Sequence, residues 1–165
     1  NLGLPLKGQR VLLLGAGGAT RGAVLPIARA GAARIVIANR TAAKADELAH
    51  ELAPHLGGVP LAGGGFDALA GEAPFDVVIN ATSASLGGDA PAVPPAAFAP
   101  GALAYDMVYG KGLTPFLKLA QAAGAARVAD GVGMLVEQAA EAFAWWRGVR
   151  PDTREALTRL TVPLV

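Results

Sequence analysis

The sequence predicts a doubly wound α/β fold: a parallel sheet with helices on both faces, followed by a C-terminal helical segment. Three observations predict it. Short apolar runs rich in branched residues alternate with stretches of helical spacing along the first 130 residues. The first of these runs ends directly on glycines that open a helix. The composition, 53% hydrophobic and 16% charged, is more apolar than an average soluble domain, as strands covered on both faces require.

Taken in order, Arg10–Leu14 (RVLLL) and Arg34–Ala38 (RIVIA) read as buried strands. Between them residues 18–30 carry helical spacing, with Ala23, Ile27 and Ala30 on one face and Gly31 as a stop. Pro26 lies inside that stretch and is expected to kink it, because proline removes a backbone donor and crowds the preceding turn. Thr41 is placed as the N-cap of a second helix running to about Leu52, closed by Pro54, Gly57 and Gly58. Residues 59–62 read as a weak third strand, Phe75–Asn80 as a strong fourth, 103–107 as a fifth and Arg127–Ala129 as a short sixth. Residues 83–100, rich in Gly, Pro and Ala, read as a loop with at most one helical turn. Helices are expected over 114–123, 133–146 and 151–160, so the chain divides into a sheet domain, 1–130, and a helical segment, 131–165.

The mean hydropathy of +0.42 implies more burial than the sheet alone demands, so part of the surface is expected to pack against another domain. A formal charge of +1 offers no broad basic field for a nucleic acid duplex, and any phosphate site must be local. The absence of cysteine removes disulfides, thiolate metal sites and cysteine nucleophiles. His50 and His55 sit around a helix end and a Pro-Gly turn without metal-ligand spacing, and read as solvated surface residues; no metal site is expected. No apolar run approaches the ~18 residues of a membrane span, and the start lacks a signal pattern, so a soluble, cytoplasmic protein is expected. The chain begins at Asn1 rather than Met, a few residues before its first strand, as a piece of a longer protein would.

The turn Gly15-Ala16-Gly17-Gly18-Ala19-Thr20 joins strand to helix, where backbone N–H groups approach a pyrophosphate at the positive helix end. Thr20 departs from the Gly or Ala usual at the third fingerprint position. After the second strand come Asn39-Arg40-Thr41 and, one turn on, Lys44. An NAD site usually places an acidic residue there, which would repel a 2′-phosphate; here the charge is positive. Arg40 offers a planar fork to phosphate oxygens and Lys44 faces the same point, so NADP is the expected cofactor. Cations at a helix start oppose its dipole, which makes an anion between them the better explanation than a solvated pair. Asn80-Ala81-Thr82-Ser83 ends the fourth strand at the ligand crevice; these residues either contact the cofactor or form an Asx or Ser/Thr turn, and spacing does not choose. Met134 and Gln138 share one helix face. Trp145 and Trp146 read as packing residues, within the chain or against another domain, rather than a platform for bases.

In this order the segments GAGGATR, NRTAAK, NATSASL, YDMVYGKGLTPF and DGVGMLVEQAAEAFAWWRG closely resemble the shikimate dehydrogenase family, over nearly the whole chain. The resemblance implies a Rossmann-like fold, NADP as cofactor, and reversible reduction of 3-dehydroshikimate to shikimate by NADPH. That reaction belongs to the shikimate pathway, which leads to chorismate and the aromatic amino acids. Residue by residue, it implies that Gly15, Ala16, Gly17, Gly18 and Ala19 hold the pyrophosphate. Asn39, Arg40, Thr41 and Lys44 would hold the adenosine end with its 2′-phosphate. Thr82, Met107 and Gly131 would lie along the nicotinamide half, and Tyr109 and Gln138 would reach the substrate. Lys44 stands where family enzymes commonly have arginine, and Ser85 where they often have glycine.

The family's acid/base work is assigned to a lysine and an aspartate on an N-terminal substrate domain of roughly a hundred residues. No segment here resembles it. Lys7 and Lys111 read as solvated loop cations, so no catalytic residue is assigned and the chain alone is expected to be inactive. The family architecture leads residues 131–165 back towards that domain. The isolated chain is therefore expected to expose an apolar face, and either to form a homodimer through it or to be marginally soluble. The rival readings are a quinate/shikimate dehydrogenase paralogue, a non-catalytic NADP-binding module and a glutamyl-tRNA reductase-like domain; YDMVY and GMLVEQA favour shikimate dehydrogenase over all three.

Overall fold

Strands without polar alternation must be covered on both faces, and the central ones here are. β1 (Arg10–Leu14), β2 (Arg34–Ala38), β3 (Leu61–Gly64), β4 (Phe75–Asn80), β5 (Phe98–Asp106) and β6 (Arg127–Ala129) form one parallel sheet in the order β3-β2-β1-β4-β5-β6. Three helices alternate with the strands: α1 (Gly18–Arg29), α2 (Ala42–Leu52) and α3 (Pro115–Ala122). α4 (Val132–Arg147) and α5 (Arg154–Leu160) follow the last strand. The structure is a computed structural model that describes residues 2–110 and 112–164; Asn1 and Lys111, both named above, lie outside the described residues.

On one face of the sheet Val11, Leu13, Ile35, Ile37 and Val77 meet Val24 and Ile27 of α1 and Leu48 of α2. On the other, Leu12, Leu14, Val36, Phe75 and Val78 are covered by Phe116, Leu117 and Ala120 of α3. The chain moves one way from β1 through β2 to β3 and the other way from β4 through β5 to β6. The order reverses between β1 and β4, and in open α/β sheets the ligand crevice opens at the carboxyl ends of the strands at such a point.

Three segments differ from the sequence reading. β3 lies two residues later than expected, at Leu61–Gly64. Pro60 has no N–H to give the ladder, although its carbonyl accepts the N–H of Ile35 at 2.9 Å. The strand instead runs through glycines because α2 crosses against it: a Cβ on Gly63 would lie 2.2 Å from the Ala45 carbonyl oxygen. Residues 83–100 hold two 3-10 turns, Ala84–Leu86 and Pro95–Ala97, and β5 begins at Phe98 rather than 103. Pro100 and Gly101 look like a loop signal, but the irregular register between Phe75 and Val77 of β4 accommodates them within the strand. α1, by contrast, spans Gly18–Arg29 with Pro26 inside it, in line with the reading. α5 starts at Arg154, later than expected, where the Asp152 carboxylate accepts the Arg154 N–H at 3.0 Å.

At the amino end of the sheet the starts of β1 and β2 are fastened to the approach of β4. Arg10 donates to Glu72 at 2.8 Å and to the Pro74 carbonyl at 3.2 Å, and its guanidinium lies 5.1 Å from the Phe75 ring centroid. Arg34 grips both oxygens of Glu72, with Nε at 3.1 Å from one of them. The Arg34 hydrogen bond holds Glu72 below its ordinary value of 4.5; burial opposes the shift and Arg10 adds to it.

Candidate functional site

The carboxyl ends of four strands finish level, because the residue after each is still bonded sideways. Gly15 N–H donates to the Ala38 carbonyl at 2.8 Å, Ala81 N–H to Leu14 at 2.9 Å, Met107 N–H to Asn80 at 3.0 Å and Asn39 N–H to Gly64 at 3.0 Å. The glycine turn, Asn39 to Thr41, Thr82 and Met107 thus leave one straight rim.

Gly15 has a φ of 103°, open to glycine and strained for other residues. A Cβ there would also lie 3.0 Å from the Thr82 methyl and 3.3 Å from the Ala81 carbonyl oxygen, so β1 and β4 touch at the point where the strand order reverses. Thr20, the apparent departure from the fingerprint, is fully buried, and its hydroxyl donates to the Gly15 carbonyl at 2.6 Å. A hydroxyl across the bend thereby closes the turn that a smaller residue usually permits. Gly17 is the N-cap of α1 and supplies no side-chain cap, so the first-turn N–H groups face the rim without a protein side chain on them. Beside Gly17 and Gly18 the Cβ positions meet open space. This cradle fits a pyrophosphate: backbone donors at the positive helix end and no side chain in the way.

Asn39 is half-buried, and its amide donates to the Thr41 carbonyl at 3.0 Å. Thr41 is the N-cap of α2 by position, yet its side chain makes no cap hydrogen bond, contrary to the usual use of that residue. Arg40 and Lys44 are exposed, and neither makes an ion pair among the described residues. Two cations at the start of one helix, with the N-cap oxygen uncommitted, form a receptive point for an added anion.

Thr82 is half-buried and makes the turn that spacing left open. Its hydroxyl and N–H donate to the Asn80 side-chain oxygen at 2.7 and 3.1 Å, while its methyl faces Gly15. Met107 and Gly131 are brought together: a Cβ on Gly131 would lie 2.3 Å from the Met107 carbonyl oxygen, and Gly131 N–H donates to Val108 at 3.2 Å. Tyr109 is 44% exposed. Its neighbours are anchored on both sides, Val108 N–H on Asp106 at 3.1 Å and Gly110 N–H on Asp130 at 3.3 Å. Gln138 is exposed on α4, four residues after the exposed Met134.

Sequence reasoning passed over Asp106, which is fully buried and accepts hydrogen bonds from the Asn80 amide at 3.0 Å, Ser85 at 2.7 Å and Thr114 at 2.6 Å. The course of the 83–86 loop follows from it, since Ser85 is tied down by its hydroxyl. An aspartate at the end of a strand with Ser, Thr and Asn nearby was the available signal. Tyr105 was also left without a role: burial raises its phenol above the ordinary value of 10.0, a backbone hydrogen bond at Met134 opposes this and nearby Asp130 adds to it. It is therefore a neutral phenol at neutral pH. Lys7 lies at the opposite end of the molecule, its side chain against the turn at Gly31 before β2. His50 and His55 are exposed, and no helix among the described residues is long and apolar enough to cross a membrane. Trp145 and Trp146 are 89% and 79% exposed, so within this chain they are not packing residues.

A family model described as Shikimate / quinate 5-dehydrogenase matches residues 2–87, and one described as Shikimate 5'-dehydrogenase C-terminal domain matches residues 131–160. The Shikimate dehydrogenase (NADP(+)) of Dechloromonas aromatica is 58% identical over 165 residues, 100% of this chain and 59% of that protein. Among solved structures, an Ael1 enzyme from Pseudomonas putida superposes with a TM-score of 0.90 at 58% identity, covering 99% of this chain and 59% of that one. A quinate dehydrogenase from Corynebacterium glutamicum in complex with NAD gives a TM-score of 0.77 at 25% identity, covering 92% and 54%. The chain spans somewhat under three fifths of the curated relatives it matches, 59% of the first and 57% of the second.

Proposed function

The chain belongs to the shikimate / quinate 5-dehydrogenase family, and from that premise we propose that it is the NADP-binding part of a shikimate dehydrogenase. The reaction is reversible reduction of 3-dehydroshikimate to shikimate, with bound NADPH supplying the hydride. Shikimate is favoured over quinate because the curated relatives at 52% identity or more carry the name Shikimate dehydrogenase (NADP(+)), whereas the quinate dehydrogenase is 25% identical.

In this reading the turn from Gly15 to Ala19, together with the free first-turn amides of α1, holds the pyrophosphate. Asn39 and Thr41 take the adenosine ribose, and Arg40 and Lys44 take its 2′-phosphate. Thr82, Met107 and Gly131 line the nicotinamide half and exclude water from it. Tyr109 and Gln138, both exposed, offer a phenol and an amide to the substrate's hydroxyl and carboxylate groups. The observation that carries the cofactor assignment is the pair of cations without carboxylate partners where an NAD site keeps an acid.

Asp106, Tyr105 and Lys7 do not suit the proton transfer. Asp106 is enclosed among its own donors, Tyr105 is half-buried and its pKa is raised, and Lys7 is at the far end of the sheet. The acid and base therefore belong to a substrate domain in the part of the relatives that this chain does not span, and the chain alone is inactive. Residues 131–165 form the surface that domain covers. An apolar groove of about 350 Å³ lies between α4 and α5, lined by Leu135, Ala139, Phe143, Ala156 and Leu160 among others, with Trp145 and Trp146 exposed on the same helical segment. Sedimentation of the isolated chain tests this surface: self-association or binding of a hydrophobic dye is expected, and a clean monomer without dye binding contradicts it.

The cofactor reading is tested by calorimetric titration of the chain with NADP and with NAD. NADP binds more tightly, and Arg40→Ala removes about 1 to 3 kcal/mol of the preference, the range for a charged hydrogen-bonded contact. Equal affinity of the unaltered chain for the two dinucleotides overturns the assignment.

A further inference from the structure

Asp106 has no part in the ligand contacts just assigned, yet it lies fully buried at the same rim. Its carboxyl accepts from four donors: the Thr114 hydroxyl at 2.6 Å, the Ser85 hydroxyl at 2.7 Å, the Asn80 amide at 3.0 Å and the Val108 N–H at 3.1 Å. Each donor comes from a different place. Asn80 ends β4, Ser85 sits in the turn after it, Val108 precedes Tyr109, and Thr114 caps α3 by accepting the Leu117 N–H at 3.3 Å. The chain of bonds runs on towards the cradle. The Asn80 amide also donates to Ser85 at 3.3 Å, which turns its oxygen to the Thr82 hydroxyl and N–H, and the Thr82 methyl closes on Gly15.

A fully buried carboxyl group is costly unless its lone pairs are filled, so any movement of one donor leaves an unmet buried acceptor. The turn that presents Thr82 and the turn that presents Tyr109 are thereby held against the same two oxygens, and neither shifts alone. Ser85 contributes a link that a residue without a side-chain hydroxyl cannot make.

We propose that Asp106, together with the Ser85 hydroxyl, is a positioning residue that couples the Thr82 turn on the nicotinamide side to the Tyr109 turn on the substrate side. It touches neither ligand. The proposal rests on the reading that residue 82 lies along the nicotinamide half, and its test separates the two halves of the cofactor.

The chain is titrated with NADPH, followed by nicotinamide fluorescence, and separately with 2′,5′-ADP, which carries only the adenosine end. Asp106→Asn places an N–H₂ among donors. NADPH affinity is expected to fall about tenfold and the fluorescence change on binding to shrink, with 2′,5′-ADP affinity held within about twofold. Ser85→Ala removes one donor and keeps the carboxyl; a fall of about threefold for NADPH alone is expected, and this variant decides the matter if Asp106→Asn does not fold. Equal losses for both ligands, or unchanged NADPH binding in Ser85→Ala, overturn the proposal. An unaltered chain that binds neither ligand overturns the cofactor reading and the proposal with it.

Discussion

The two ends of the sheet carry positive charge in opposite ways. At the amino end Arg10 and Arg34 close on Glu72, and the backbone N–H of Arg10 is taken by Asp76 at 2.8 Å. At the carboxyl end Arg40 and Lys44 stand exposed without an ion pair among the described residues. The first arrangement is self-sufficient: two strands and the approach to a third are clamped by one carboxylate with a side chain only 20% exposed. The second gains nothing for folding and sets like charges at a helix start, where the backbone dipole opposes them. The paired cations at the amino end fasten the strands, and on the proposed reading the two at the start of α2 are kept for a ligand.

The largest effect expected from this contrast concerns backbone fit at the carboxyl end. Gly131→Ala sets a methyl 2.3 Å from the Met107 carbonyl oxygen, a backbone atom that cannot swing aside. A loss of about 2 to 3 kcal/mol in urea unfolding is expected, the upper part of the range for overpacking, with cofactor affinity reduced as well because the exit of β5 must move. An undiminished midpoint would mean that the rim is looser than its contacts suggest.

Next in size is the amino-end clamp. Glu72→Gln is expected to cost about 1 kcal/mol near neutral pH and to leave NADP affinity unchanged. Glu72 is held below its ordinary value of 4.5 in the folded chain, so its contribution is complete above that pH and disappears as pH falls through the lowered folded value. The stability gap between the two proteins therefore closes on acidification below about 4.5. A gap that persists in acid shows that the clamp works through packing and not through the carboxylate.

The smallest effect completes the dissociation. Arg40→Ala, proposed above to remove part of the NADP preference, is expected to alter unfolding stability by no more than about 0.5 kcal/mol, as for an exposed residue without an ion pair among the described residues. A larger loss would mean that residue 40 belongs to the fold as well as to the ligand.

What could be read before the fold was known follows the range of the interactions. β1, β2 and β4 were legible as RVLLL, RIVIA and FDVVIN because a strand buried on both faces writes its burial into consecutive residues. The glycine turn and Arg40 were legible because strand, turn and helix are contiguous. β3 was misplaced because its glycines answer to the backbone of α2, a contact that leaves no local trace. Thr20 looked like a flaw until its hydroxyl met the Gly15 carbonyl five residues back. The network at Asp106 spans residues 80 to 114, and the Glu72 clamp joins residues 10, 34 and 72. Neither has a spacing that a linear reading could recognise. The roles proposed for Tyr109 and Gln138 come only from the family resemblance; in the structure both residues are exposed, and no hydrogen bond among the described residues joins their side chains.

The most direct test of the central claim is a crystal structure of the chain with NADP bound. The account predicts the pyrophosphate over the N-terminus of α1, against the backbone from Gly15 to Ala19, and the 2′-phosphate within hydrogen-bonding distance of the Arg40 guanidinium. A 2′-phosphate turned away from Arg40, or a dinucleotide lying elsewhere with the glycine turn bare, would contradict it.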